Sequence, residues 1–155
     1  MMIAGPPRGI IYAIPVGYGI LFSELWSIEI RVRMGEKVMR ILIVDDSSFM
    51  RMMLRKMLER EDHEVVGEAE NGKEAIWRYM VLTPDLVVMD ITMPILSGIE
   101  AVKEICSHDP NAKVLMCSAM GQQSMIRECI EYGAKGFITK PFQAERLLEE
   151  IERMS

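Results

Sequence analysis

Short apolar runs, each followed by an amphipathic stretch, recur five times between Arg40 and the carboxy terminus. No other feature constrains the fold as tightly. The runs are Ile41–Val44, an alternating segment over 64–70, Leu86–Met89, Val114–Cys117, and Phe137 with Ile138. Uninterrupted apolar runs of this length belong to strands covered on both faces. The segment 64–70 instead alternates with a period of two, at Val65 and Ala69, and is expected nearer a sheet edge. Between the runs, apolar residues return at helical spacing. They are Phe49, Met53, Leu54, Met57 and Leu58; then Ala75, Ile76, Tyr79 and Met80; then Ile99, Val102 and Ile105. Met125, Ile126, Cys129 and Ile130 follow, and Leu147, Leu148 and Ile151 close the series. Asn71 is expected to cap the second helix, Pro84 to end that segment, and Gly133 to cap the fourth helix at its carboxyl end. Five strands alternating with five helices predict an α/β fold, a doubly wound five-stranded parallel sheet. Ligands of such sheets bind outside the carboxyl ends of the strands.

The polar residues at those ends form one set. Asp45 and Asp46 follow the first run, Asp90 the third, Ser118 the fourth and Lys140 the fifth. A single Asp or Ser after a strand is ordinary turn chemistry. Four strand ends carrying this set, in this order, are not. Three crowded carboxylates repel and raise one another's pKa. A divalent cation relieves that repulsion, and oxygen donors suit Mg²⁺ better than zinc. An ionised Asp90 is then a nucleophile toward phosphorus. The metal and Lys140 neutralise charge on a transferred phosphoryl group, and the Ser118 hydroxyl can donate to one of its oxygens.

Composition narrows the classes. A chain of 155 residues, 50% hydrophobic and 26% charged, suits one soluble globular domain. The net charge of −5 and the lack of a basic run argue against direct binding of nucleic acid. Cys106, Cys117 and Cys129 are an odd count without a Cys-x-x-Cys pair, so reduced, buried thiols are expected. His63 and His108 lack partners at ligand spacing and are expected at the surface. The 15 methionines read as soft core filler.

The segments ILIVDDSSFMR, DLVVMDITMP, VLMCSAMGQQSM and GAKGFITKPF resemble the CheY-like response-regulator receiver family. The resemblance runs from about Met39 to Met154 and is closest to stand-alone chemotaxis regulators of the archaeal and Gram-positive type. It implies the flavodoxin-like fold and a phosphoprotein of a two-component system, with Asp90 as phosphoacceptor. It implies Mg²⁺ held by Asp46 and Asp90 directly, by the Thr92 backbone carbonyl, and by Asp45 through water. Ser118 and Lys140 are then phosphate contacts and Phe137 the aromatic switch residue, with a cis bond between Lys140 and Pro141. The implied partners are a histidine kinase of the chemotaxis type and a motility-apparatus or adaptor protein. The implied location is the cytoplasm, without membrane insertion, and the implied role is a regulator, not an enzyme. A phosphorelay intermediate or another single-domain regulator is the alternative output. Two departures stand out. Ile95-Leu96-Ser97 replaces the acidic residue usual before the glycine, and Phe137 lacks the hydroxyl of many relatives' tyrosine.

Rival classes fare worse. A haloacid-dehalogenase-type phosphatase places its nucleophile first and its acidic pair last, the reverse of the order here. A flavin-binding protein needs a hydroxyl- and glycine-rich phosphate loop after the first strand, where Asp45 and Asp46 would repel phosphate. No P-loop is present.

Residues 1–38 change character. Gly9 to Ser23 is uncharged and apolar, interrupted by Pro15, Gly17 and Gly19, and too short for a membrane helix. An upstream translation start with Met39 as the true initiator, a flexible arm, and a membrane anchor are the open readings. The receiver domain is expected to span 39–155.

Overall fold

The structure is a computed structural model that describes residues 37–155. The readings of the amino-terminal extension fall, as far as residue 36, outside the described residues. From there the chain alternates as β1 (Arg40–Val44), α1 (Ser48–Glu59), β2 (Glu64–Ala69), α2 (Gly72–Leu82), β3 (Leu86–Asp90), α3 (Gly98–His108), β4 (Val114–Ser118), α4 (Gln123–Glu131), β5 (Gly136–Thr139) and α5 (Ala144–Met154). All strand pairs are parallel, in the order β2-β1-β3-β4-β5. This is the flavodoxin-like order, for which flavodoxin and CheY are themselves the standard examples. The predicted fold class is correct, and β2 lies at an edge as its alternation indicated.

Side chains alternate across the pleat and build two cores. Leu42, Val44, Val87, Met89, Val114 and Met116 face Ala75, Tyr79, Ala101, Val102, Ile105 and Cys129 of α2, α3 and α4. Ile41, Ile43, Leu86, Val88, Leu115 and Ile138 face Leu54, Leu58, Leu147 and Ile151 of α1 and α5. Asn71 and Ser97 cap α2 and α3 through their side chains, and Ser97 forms a reciprocal capping box with Glu100.

The helical faces need correction. Phe49, Met80, Met125 and Ile130 were expected inward and are exposed. In α1 the inward stripe is Arg51, Leu54 and Leu58. The Arg51 guanidinium is buried because it is fully engaged. Nη1 donates to the Asp45 carbonyl at 2.7 Å, Nε to Glu68 at 3.0 Å and Nη2 to Glu70 at 3.0 Å. Arg55 adds a second pair to Glu68 at 2.8 Å. Burial opposes ionisation of Glu68, yet the hydrogen bonds from Arg55 and Arg51 prevail and hold its carboxyl below the ordinary range. His63 is also not a plain surface residue. It is half-buried, and its Nδ1 accepts from the Met39 amide at 3.2 Å. The three cysteines are free and buried, as expected.

Candidate functional site

The carboxyl ends of β1, β3, β4 and β5 deliver Asp45, Asp90, Ser118 and Lys140 to one edge of the sheet. Carboxylate oxygens of Asp45, Asp46 and Asp90 lie within 4.8 Å of one another. Asp45 and Asp90 are buried and Asp46 is exposed, so the cluster opens to solvent on the Asp46 side. The Lys140 ammonium donates to Asp45 Oδ2 at 2.7 Å and lies 3.3 Å from Asp90 Oδ1. The Lys140-Pro141 bond is cis. Asp45 is held on its other side as well, since its Oδ1 accepts from the Ser47 amide at 2.9 Å.

The electrostatics follow from this packing. Burial raises the Asp90 carboxyl above its ordinary value, and Asp45 and Asp46 push the same way against Lys140. Carboxylate repulsion acts in the expected direction, and desolvation is the larger cause. Burial pulls Lys140 down, but the bond to Asp45 and the charge of Asp90 outweigh it, so the ammonium is held above its ordinary range. Beneath the site, burial pushes the Cys117 thiol up to about 12, which keeps it inert.

The backbone under Asp90 is close-packed. A Cβ on Gly98 would collide with the Asp90 carbonyl oxygen, and the Gly98 amide donates to Ile91 O at 2.8 Å. Between them, Ile95 takes a left-handed φ of 70°, uncommon for a β-branched residue. This is the segment that departs from the family pattern.

Ser118 is fully buried, and its hydroxyl makes a long 3.4 Å bond to the Ile138 carbonyl. Phe137 sits on β5 and is 43% exposed. The Thr92 hydroxyl accepts from Gln122 Nε2 at 2.9 Å. Sequence reading missed two residues here. Arg51 was hidden because hydropathy places an arginine outward, although Glu68 near the end of β2 and Glu70 just after it, two apart, were the available signal. Gln122 gave no signal, since nothing in a Gly-Gln-Gln run tells where an amide reaches.

A family model described as the response regulator receiver domain matches residues 41–152. The chain belongs to this family.

Relatives agree. The chemotaxis protein CheY of Thermotoga maritima is 56% identical over 116 residues, covering 75% of this chain and 97% of the relative. That of Bacillus subtilis is 58% identical over 114 residues, covering 74% and 95%. Among solved structures, the CheX–CheY–BeF3–Mg²⁺ complex from Borrelia burgdorferi matches with a TM-score of 0.70 at 35% identity, covering 74% of this chain and 87% of that one. The receiver fold and the CheY relatives make this chain a response regulator of two-component signal transduction, of the chemotaxis type. No helix among the described residues is long and apolar enough to cross a membrane.

Proposed function

We propose that this receiver takes a phosphoryl group onto Asp90 from a phosphohistidine of a chemotaxis-type kinase and signals by binding a motility or adaptor protein in the cytoplasm. The observation that carries this is the Lys140 ammonium placed between Asp45 and Asp90, with Asp46 beside them. An Asp90 carboxylate oxygen forms a bond to phosphorus. The P–N bond to the histidine breaks, and the ring nitrogen keeps the electron pair. Lys140 follows the charge onto the phosphoryl oxygens. The chain's own chemistry is confined to gaining and losing this group.

The cluster offers only oxygen donors around one open side, which fits Mg²⁺. Asp46 and Asp90 would hold it directly, with the Thr92 carbonyl, and Asp45 through water. When bound, the metal neutralises charge on the phosphoryl oxygens. A ligand of the folded state alone must stabilise it. At a magnesium concentration about ten times its Kd the gain is about 1.4 kcal/mol, or ~5 °C in melting temperature. Asp46→Ala is expected to remove that shift. A parent melting curve indifferent to millimolar Mg²⁺ would count against the site.

The output follows from Ser118 and Phe137. The phosphoryl group draws the Ser118 hydroxyl from Ile138, and Phe137 turns into the vacated space. Its ring carries no hydroxyl, so burial leaves no polar group unsatisfied. The altered surface is α4, β5 and α5, and the effector docks there. Ser118→Ala and Phe137→Ala are each expected to reduce the gain in partner affinity produced by a beryllofluoride phosphate mimic, while Asp90 still accepts phosphate. An undiminished gain in both variants would rule the coupling out.

The domain itself is proposed to begin at Met39. Its side chain is fully buried, its amide is engaged by His63, and its carbonyl accepts from Glu64 N at 2.9 Å. Deleting residues 1–38 is expected to leave a soluble domain that still accepts phosphate. An insoluble product would make the extension part of the fold.

A further inference from the structure

Beyond Asp90 and its register partner Cys117, the chain leaves β3 and β4 in two loops. Gln122 joins them. Its Oε1 accepts from the Ala119 amide at 2.7 Å, and its Nε2 donates to the Thr92 hydroxyl at 2.9 Å. The carboxamide cannot be turned the other way, because a backbone amide only donates. Thr92 is two residues past Asp90, and Ala119 is two past Cys117. The side chain therefore ties the loop after β3 to the loop after β4, close in sequence to the acceptor residue.

Gln122 stands at the N-cap position of α4, yet its side chain makes no capping bond. Ser47, Asn71 and Ser97 do cap their helices. The carboxamide thus serves the site in place of its own helix. Gly121, just before it, takes a φ of 87° with open space around it, so the backbone conformation and not crowding calls for glycine.

The Ala119 amide follows Ser118 at the carboxyl end of β4. An amide there is a ready donor to an oxyanion on Asp90, but in this state it is already bonded. We propose that Gln122 is a strap across the acceptor site, which ties the two loops together and withholds the Ala119 amide until a phosphoryl group displaces it. Gln122 is then a positioning residue that sets how readily the site accepts phosphate. This rests on Asp90 being the acceptor.

The test uses the full chain, acetyl phosphate and Mg²⁺, with Gln122→Ala, the equally bulky Gln122→Met, and Gln123→Ala as a control at the next, exposed position. Exchange of the Ala119 amide is measured separately, without metal or donor. Losing one net hydrogen bond from the resting state is expected to speed both Ala119 exchange and phosphorylation about fivefold in the two Gln122 variants. Hydrolysis of the phosphorylated form is expected to change less than about twofold, since a bond present only in the resting state biases only that state. Gln123→Ala should match the parent. Phosphorylation of both Gln122 variants within about twofold of the parent, with the parent labelled on Asp90, overturns the strap and leaves the acceptor standing. A parent labelled elsewhere than Asp90 overturns both.

Discussion

Asp90→Asn is expected to lower phosphate incorporation from acetyl phosphate or a cognate kinase by at least ~10²-fold. Intact-mass measurement of phosphate uptake checks it. The loss should not come from unfolding. Burial and the neighbouring acids raise the Asp90 carboxyl above its ordinary value despite Lys140. The ionised group is therefore an unfavourable occupant of its own site. A neutral amide of the same shape relieves that, and Lys140 keeps its 2.7 Å bond to Asp45. The variant is expected to melt at or above the parent temperature. Full labelling of the variant at another residue would remove Asp90 from its role.

Arg51→Ala is expected to lower folding stability by about 2–3 kcal/mol. Most of this is the charge-assisted bond to the buried Asp45 carbonyl, ~1.5–3 kcal/mol. The pairs to the more exposed Glu68 and Glu70 add at most about 1 kcal/mol. Urea unfolding at neutral pH measures it, and a change below about 0.5 kcal/mol would show the guanidinium to be idle. The pH dependence has a definite sign. The folded Glu68 carboxyl lies below its ordinary value. Its contribution is therefore present above an ordinary glutamate pKa of about 4.3 and is lost as pH falls through the folded value. The gap between parent and variant should narrow in acid.

Arg51 also shows where sequence reading stops. The runs Leu86–Met89 and Val114–Cys117 announced their strands, because a run buried on both faces leaves no other reading. The acids, serine and lysine at the strand ends were legible for the same reason: once the strands are placed, parallel topology brings their ends to one edge. Helix faces were less legible. The apolar face read over α1 joined Phe49 and Met53 to Leu54, Met57 and Leu58, yet Phe49 is exposed and the buried stripe is Arg51, Leu54 and Leu58, with Met57 packed against the same core. An arginine can lie inward when a carbonyl and two carboxylates meet it, and those partners come from the residue after β1, from β2 and from the residue after β2. Met125 and Ile130 misled for another reason, since single exposed apolar residues are ordinary on protein surfaces. Gln122 was out of reach, because its role depends on how two loops approach each other.

Helix α4 buries a single residue, Cys129, whereas α3 buries five and α5 four. Its outward positions therefore carry little of the free energy of folding, and exchanges there fall within the range typical of surface substitutions. The opposite flank, where α1 is tied to β2 through Arg51 and Arg55, has no such latitude. The two sides therefore differ in how much substitution the fold tolerates. Exposed residues such as Met125, Arg127 and Ile130 can be exchanged at little cost to the fold, while the ion-paired flank cannot.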